Sequence, residues 1–298
     1  MVATVALSPG RVWWSAVRPA TLAASVAPVL AATAIAVHDG GARPAAGLAA
    51  LVVAIAIQIG VNFSNDYSDF KRGADTARRI GPVRAASSGV VAPEHVKWAA
   101  IAAFGLAGAV GVGLSLGTDW RLLLVRGACV LAAWLYTGGP RPYGYLGLGE
   151  VFVFVFFGLV ATCATVYVEE LRVTTLAAFA ACSVGFLATA ILVLNNLRDI
   201  DSDAAAGKRT LATRIGRQNT RHLLLALVVG AFAVPFLAVA MATVSGTVAI
   251  AELGLPFAVG PLRTAYSSES GPALVGALRG MAVTELLFAL LLALGVLA

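Results

Sequence analysis

Apolar runs of near-membrane-spanning length recur along this chain, at about residues 16–37, 45–64, 98–116, 122–137, 148–168, 174–195, 222–242, 247–262 and 273–297. A spanning helix needs about 20 apolar residues, and hydrocarbon tolerates only backbone that satisfies its own polar groups. The runs predict an all-α polytopic bundle of nine transmembrane helices, with residues 1–298 forming a single integral membrane domain. Only 12% of the residues are charged, about half the share in soluble domains. With a mean hydropathy of +0.88, that excludes a water-soluble globule. The net charge of +6 therefore signals no nucleic-acid partner; the lipid bilayer is the expected surrounding. Arg11 and Arg18 precede a run of spanning length, so the N-terminal segment reads as an uncleaved first helix, not a signal peptide.

The positive charges orient the bundle. With the N-terminus inside, sixteen Lys and Arg fall in the tail and the inner loops 65–97, 138–147, 196–221 and 263–272. Only Arg43, Arg121 and Arg172 fall in outer loops. By the positive-inside rule the N-terminus and both long loops are cytoplasmic, and the expected location is the cell inner (plasma) membrane.

Those two long loops hold six Asp residues. The first stretch, N-F-S-N-D-Y-S-D-F-K-R-G-A-D, runs from Asn62 to Asp75; the second, N-N-L-R-D-I-D-S-D, runs from Asn195 to Asp203. Each follows directly on an apolar run. If the helices continue, Asn62, Asp66 and Asp69 share one face, as do Asn195, Asp199 and Asp203, whereas Asp201 falls off its stripe. Clustered carboxylates at a membrane boundary repel unless compensated. Oxygen ligands of this kind suit Mg²⁺, which binds through one or two carboxylates plus substrate phosphates. Lys71, Arg72, Arg78, Arg84, Arg198, Lys208 and Arg209 stand near enough in sequence to hold phosphate oxygens. The combination points to a diphosphate site.

Three stretches resemble the UbiA-type membrane prenyltransferases, most closely their 1,4-dihydroxy-2-naphthoate polyprenyltransferase branch. They are N-D-Y-S-D-F-K-R-G-A-D-T-A-R-R-I-G-P-V-R-A-A-S-S-G (65–89), Y-T-G-G-P-R-P-Y-G-Y-L-G-L-G-E-V-F-V-F-V-F-F-G (136–158) and N-N-L-R-D-I-D-S-D-A-A-A-G-K-R-T-L-A-T-R-I-G (195–216). The common family pattern has a third acid four residues after Asp69, where this chain has Gly73; the acid stands instead at Asp75, as in the naphthoate branch. The resemblance implies nine helices around a central cavity capped by the Asp-rich loops. It also implies Mg²⁺ as cofactor, polyprenyl diphosphate as donor, and 1,4-dihydroxy-2-naphthoate as acceptor. The reaction would release CO₂ and diphosphate and give demethylmenaquinone. Asp66, Asp69, Asp199 and Asp203 would hold metal and act in catalysis, with Asp75 a further candidate ligand.

Further candidates flank these motifs. Asn62, Asn65 and Arg18 would complete the mouth of the cavity. A Gly- and Pro-rich loop at 138–149 would bring Arg141 and Tyr143 over it, and Glu150 would orient an acceptor hydroxyl. Arg126, Glu252 and Glu285 lie inside apolar runs and read as structural pairing or snorkelling groups, while His38, His95 and His222 are isolated. Cys129, Cys163 and Cys182 form no CxxC pair and read as small buried hydrophobes.

Two other readings stay open on the residues alone. One keeps the chemistry with another acceptor: 4-hydroxybenzoate, haem, a chlorophyll precursor or a sugar phosphate. The loop at 138–149 and G-P-V-R at 81–84 favour the naphthoate. The other is a transporter, against which the acids collect at one face and not at the midplane.

Overall fold

The computed structural model describes residues 8–73, 81–241 and 243–298, and the elements among them are helical. A short helix, α1 (Pro9–Val17), starts on a proline whose fixed φ suits a first turn. It stops at Arg18, which adopts φ +55°. After one 3₁₀ turn the chain continues as α2 (Ala23–His38). The first expected run is thus broken at Arg18 and resumes as a nearly all-apolar helix packed in the interior.

Two helices are longer than a bilayer requires. At 1.5 Å per residue, the 28 residues of α3 (Pro44–Lys71) extend about 42 Å and the 31 residues of α8 (Thr175–Ala205) about 46 Å. The hydrocarbon core is about 30 Å thick. The surplus turns hold Asn62 to Lys71 and Asn195 to Ala205, so the acids emerge from the bilayer without ending the helices that carry them.

The other spans are α4 (Pro93–Leu116), the short α5 (Leu122–Leu135), and a run from α6 (Gly149–Val153) through a π-helical stretch (Phe154–Val160) into α7 (Ala161–Glu170). Then follow α9 (Leu211–Ala240), a 3₁₀ run (Gly246–Gly254) leading into α10 (Leu255–Ser267), and α11 (Gly271–Leu297). Among the described residues eight helical runs are long and apolar enough to cross a membrane. The ninth expected span is α5, apolar but only 14 residues long. α9 breaks near its start at Gly216, whose φ of +78° glycine tolerates.

Packing divides the bundle into a solid half and a hollow half. The main core joins α2, α8, α9, α10 and α11 through small or branched side chains such as Ala27, Ile35, Val184, Leu187, Leu224 and Phe288. The hollow half lies between α3, α4, α5, the α6–α7 span and α8. Where the α6–α7 span meets α8, Gly158 and Gly185 let the backbones touch: a Cβ on Gly158 would lie 2.4 Å from Gly185 Cα and 2.9 Å from the Ala181 carbonyl oxygen. Small residues permit such approaches between membrane helices.

Gly158→Leu is therefore expected to lower stability by about 1–3 kcal/mol or more through overpacking. Gly105→Ala, whose added Cβ meets nothing within 4 Å, is expected to leave it unchanged. Thermal unfolding in detergent checks both.

Candidate active site

The first Asp motif occupies the last turns of α3. Its helical register turns Asn62, Asn65, Asp66 and Asp69 inward, all buried, and leaves Phe70 and Lys71 exposed. Asn62 donates to the Val17 carbonyl (2.8 Å) and to Thr21 Oγ1 (3.0 Å), tying α3 to the turn at Arg18. Asn65 Oδ1 accepts from the Thr137 hydroxyl at 2.6 Å.

The two acids of this motif have different partners. Asp66, fully buried, accepts the backbone N–H groups of Ala85 (2.7 Å) and Ala86 (3.2 Å) and anchors the segment after Pro82. Asp69 faces the cavity. Its Oδ2 pairs with Arg84 at 2.9 Å, and its Oδ1 receives Lys208 Nζ at 2.9 Å and the Tyr145 hydroxyl at 2.6 Å. Burial, followed by the adjacent Asp69 charge, pushes the Tyr145 hydroxyl well above its ordinary range, so it remains a donor.

The second motif ends α8. Arg198 pairs with Asp199 at 2.5 Å and donates to Asn195 Oδ1 at 2.9 Å. Asp203 lies 3.8 Å from Lys208 Nζ. One ammonium group thus spans the two motifs, meeting Asp69 of α3 and Asp203 of α8. Asp201 points away, exposed and paired with Arg217 at 2.8 Å, as its place off the stripe predicts.

Both motifs border the same cavity, about 460 Å³ in volume. Arg18, Asn62, Asn65, Asp69, Arg84, Asn195, Asp199, Asp203 and Lys208 surround its polar end. Its body is apolar, lined by Ala54, Ile57, Val61, Phe152, Phe156 and Val160 among others, and Arg126 and Cys129 also border it.

Several residues singled out in the sequence sit beside this cavity without lining it. Lys71 is exposed, 5.8 Å from the Tyr67 ring. Arg72 donates to the Thr137 and Gly139 carbonyls and lies 5.3 Å from the centre of the Tyr145 ring, so it fastens the Gly/Pro loop. Arg141 is exposed on that loop. Tyr143 does line the cavity and stacks on Phe152 at 3.9 Å; burial pushes its hydroxyl above the ordinary range. Glu150 is buried behind the wall and accepts from Asn196 at 2.9 Å. Asp75, Arg78 and Arg79 lie outside the described residues.

Sequence reasoning passed over Tyr145, Tyr136 and Thr137. The signal available was Y-G-Y at 143–145, two tyrosines in a loop already suspected. Which of them meets the acids depends on the 3₁₀ turn Tyr143–Leu146, closed by Gly147 at φ +73°. Among the described residues no three His, Cys, Asp or Glu side chains converge closely enough to hold a metal ion by themselves.

Overlong helices with converging acidic ends, paired cations and an apolar hollow beneath define a membrane protein whose pocket suits an amphiphile with an anionic head. The chain belongs to the UbiA prenyltransferase family, whose model matches residues 25–274. It is 44% identical over 284 residues to a Mycobacterium tuberculosis protein named 1,4-dihydroxy-2-naphthoate octaprenyltransferase, covering 94% of this chain and 95% of that one. An Escherichia coli protein of the same name is 37% identical over 230 residues, 75% of each chain. In fold, it matches the structure of a UbiA homolog from Archaeoglobus fulgidus bound to DMAPP and Mg²⁺, with a TM-score of 0.64, 12% identity, and 96% of this chain and 99% of that one covered.

Lys208→Ala is expected to cost about 1–3 kcal/mol, because it removes the hydrogen bond to Asp69 and the positive charge between Asp69 and Asp203. Asp201→Asn, at the surface, is expected to stay within about 0.5 kcal/mol. Chemical denaturation in detergent distinguishes the two.

Proposed function

We propose that this protein transfers a polyprenyl group from polyprenyl diphosphate to 1,4-dihydroxy-2-naphthoate, releasing CO₂ and diphosphate and giving demethylmenaquinone in its reduced form. The observation that carries the reading is the meeting of both Asp motifs, through Lys208, at the polar end of one apolar cavity. The shared name of the relatives in Mycobacterium tuberculosis and Escherichia coli supports the acceptor.

The donor set fits Mg²⁺. Asp69, Asp199 and Asp203 line the cavity and offer hard oxygen ligands, and Asn65 and Asn195 add amide groups. Three acids that do not converge by themselves suit an ion that takes much of its coordination from phosphate oxygens. Asp69, Asp199 and Asp203 would hold the metal, with Asp66 fixing the neighbouring segment. Bound there, Mg²⁺ supplies Lewis-acid stabilisation of the leaving diphosphate.

The remaining work falls to the chain's own residues. Arg84 and Lys208, held on Asp69, and Arg18 at the rim turn toward the phosphate oxygens and stabilise charge as it develops there. The apolar walls keep water from the allylic cation, and the rings of Phe152, Phe156 and Tyr143 present faces that stabilise it. The allylic C–O bond breaks and its electron pair leaves with diphosphate. The carboxylated ring carbon forms the new C–C bond, and the C–CO₂ bond breaks to restore the aromatic ring. With the acceptor carboxylate ionised, charge balances without removal of a ring proton, so the site needs no strong base. We further propose that the whole chain works as one domain in the cell inner membrane with its Asp-bearing end cytoplasmic, on the strength of the sixteen-to-three positive bias.

Membranes containing the protein, supplied with labelled polyprenyl diphosphate, dihydroxynaphthoate and Mg²⁺, are expected to release CO₂ and a prenylated naphthoquinol, and EDTA is expected to stop both. Asp69→Ala and Asp199→Ala should each reduce turnover by about 100-fold or more while the protein stays in the membrane. Undiminished activity in both variants contradicts the metal assignment. Turnover of a different acceptor in place of the naphthoate contradicts the substrate.

A further inference from the structure

One wall of the cavity carries polar groups that the diphosphate does not need. It is formed by α8 at Asn196, about two turns before the Asp stripe ends at Asp203, by the start of the α6–α7 span, and by the Gly/Pro loop. Asn196 lines the cavity there, and its Nδ2 donates to Glu150 Oε1 at 2.9 Å. Glu150 is buried and does not line the cavity. The amide is therefore gripped from behind by its nitrogen. Its oxygen bears no hydrogen bond among the described residues, and it is left to the hollow side.

Two tyrosines line the same cavity. A Cβ built on Gly149 would lie 3.7 Å from Tyr136 Oη and 3.4 Å from Leu192 Cδ2, which puts that hydroxyl at the residue before Glu150 and close to Leu192, four residues before Asn196 on α8. Tyr143 meets Tyr136 edge-on at 5.5 Å and stacks on Phe152. Both tyrosines line the cavity, and neither hydroxyl has a hydrogen-bond partner among the described residues. Buried polar groups normally find partners, so an aromatic wall carrying one amide oxygen and two hydroxyls is built to face a polar ligand.

We infer that this wall is the acceptor subsite, that it takes a planar hydroxyarene with a ring hydroxyl donating to Asn196 Oδ1, and that Glu150 is the positioning residue that fixes the amide in that orientation. The inference rests on the reading above that the acceptor is a dihydroxynaphthoate. An amide is nearly symmetric in shape, so nothing but its neighbours decides which end faces the substrate. A carboxylate behind it accepts only, and so selects the amide nitrogen. Glutamine in the same place offers both a donor and an acceptor, and the selection is lost. As the new C–C bond forms, the adjacent ring hydroxyl becomes more acidic, and an oxygen acceptor there strengthens its hold in the transition state. Glu150 touches no substrate in this scheme; its effect passes through Asn196.

The test compares the diol with 1-hydroxy-2-naphthoate and 4-hydroxy-2-naphthoate, each lacking one hydroxyl, in the wild type, Glu150→Gln, Asn196→Ala and the double variant. The wild-type arm decides the acceptor reading by itself: no turnover of the diol defeats that reading, whatever the variants do. Given wild-type turnover, Glu150→Gln is expected to reduce the preference in kcat/KM for the diol over one analogue by at least about tenfold. KM for the prenyl diphosphate should not change. Asn196→Ala is expected to lose the same preference, and the double variant no more than either single one. An unchanged preference, losses that multiply in the double variant, or an equal weakening of diphosphate binding each overturns the inference. If Glu150→Gln fails to accumulate in the membrane, Asn196→Ala alone decides, and an unchanged preference there overturns it.

Discussion

A single ammonium group between two carboxylates organises this protein. Lys208 Nζ lies 2.9 Å from Asp69 on α3 and 3.8 Å from Asp203 on α8. Those helices are remote in sequence, and each ends in a stripe of like charge. Unneutralised, the two stripes repel across a site that water only partly screens. With Lys208 between them and Arg84 and Arg198 on either side, they converge and give the hollow half of the bundle an ionic rim. In the proposed reaction these are the groups that a diphosphate with its metal would compete for, which would make the rim both a structural closure and an exchangeable ligand set.

The rest of the architecture serves that rim. The surplus length of α3 and α8 carries the acids past the hydrocarbon while their helices continue, which meets the backbone's need for internal hydrogen bonds. The solid half, built on α2, α8, α9, α10 and α11, holds α8 in place. Contact between Gly158 and Gly185 seats the α6–α7 span against it. Asp66 spends both carboxylate oxygens on the backbone of Ala85 and Ala86, and so delivers Arg84 to Asp69. Arg72 and Tyr145 do the same for the Gly/Pro loop, which sets Tyr143, Gly144 and Tyr145 against the cavity.

Much of this was legible in the sequence, because hydrophobic periodicity and helical register are local. Eight spans, the short α5 and the placing of Asp69, Asp199 and Asp203 on one side follow from run lengths and from spacings of three and four. The exposed Asp201 follows from the same register. What was not legible depends on tertiary geometry. Nothing local says that Lys208 reaches Asp69, 139 residues away, or that Asp66 turns to backbone N–H groups when Asp69, three residues on, faces the cavity. Arg72 and Arg141 carry the charge expected of phosphate ligands, yet one fastens a loop and the other lies exposed, since reach depends on how the loop folds. Tyr145 was hidden beside Tyr143 by a turn whose register no periodicity encodes. The break at Arg18 arises where a non-glycine residue adopts positive φ, an arrangement only the surrounding contacts impose.

The proposed chemistry requires the two Asp-bearing ends to form one binding site. The most direct measurement is the affinity of a non-reactive prenyl thiodiphosphate in the presence of Mg²⁺ for the wild type, Asp69→Asn, Asp203→Asn and the double variant. One shared site predicts strong coupling, with the double variant binding far more tightly than the product of the two single losses implies. Losses that simply multiply would mean that α3 and α8 act on the ligand independently, and would contradict the account.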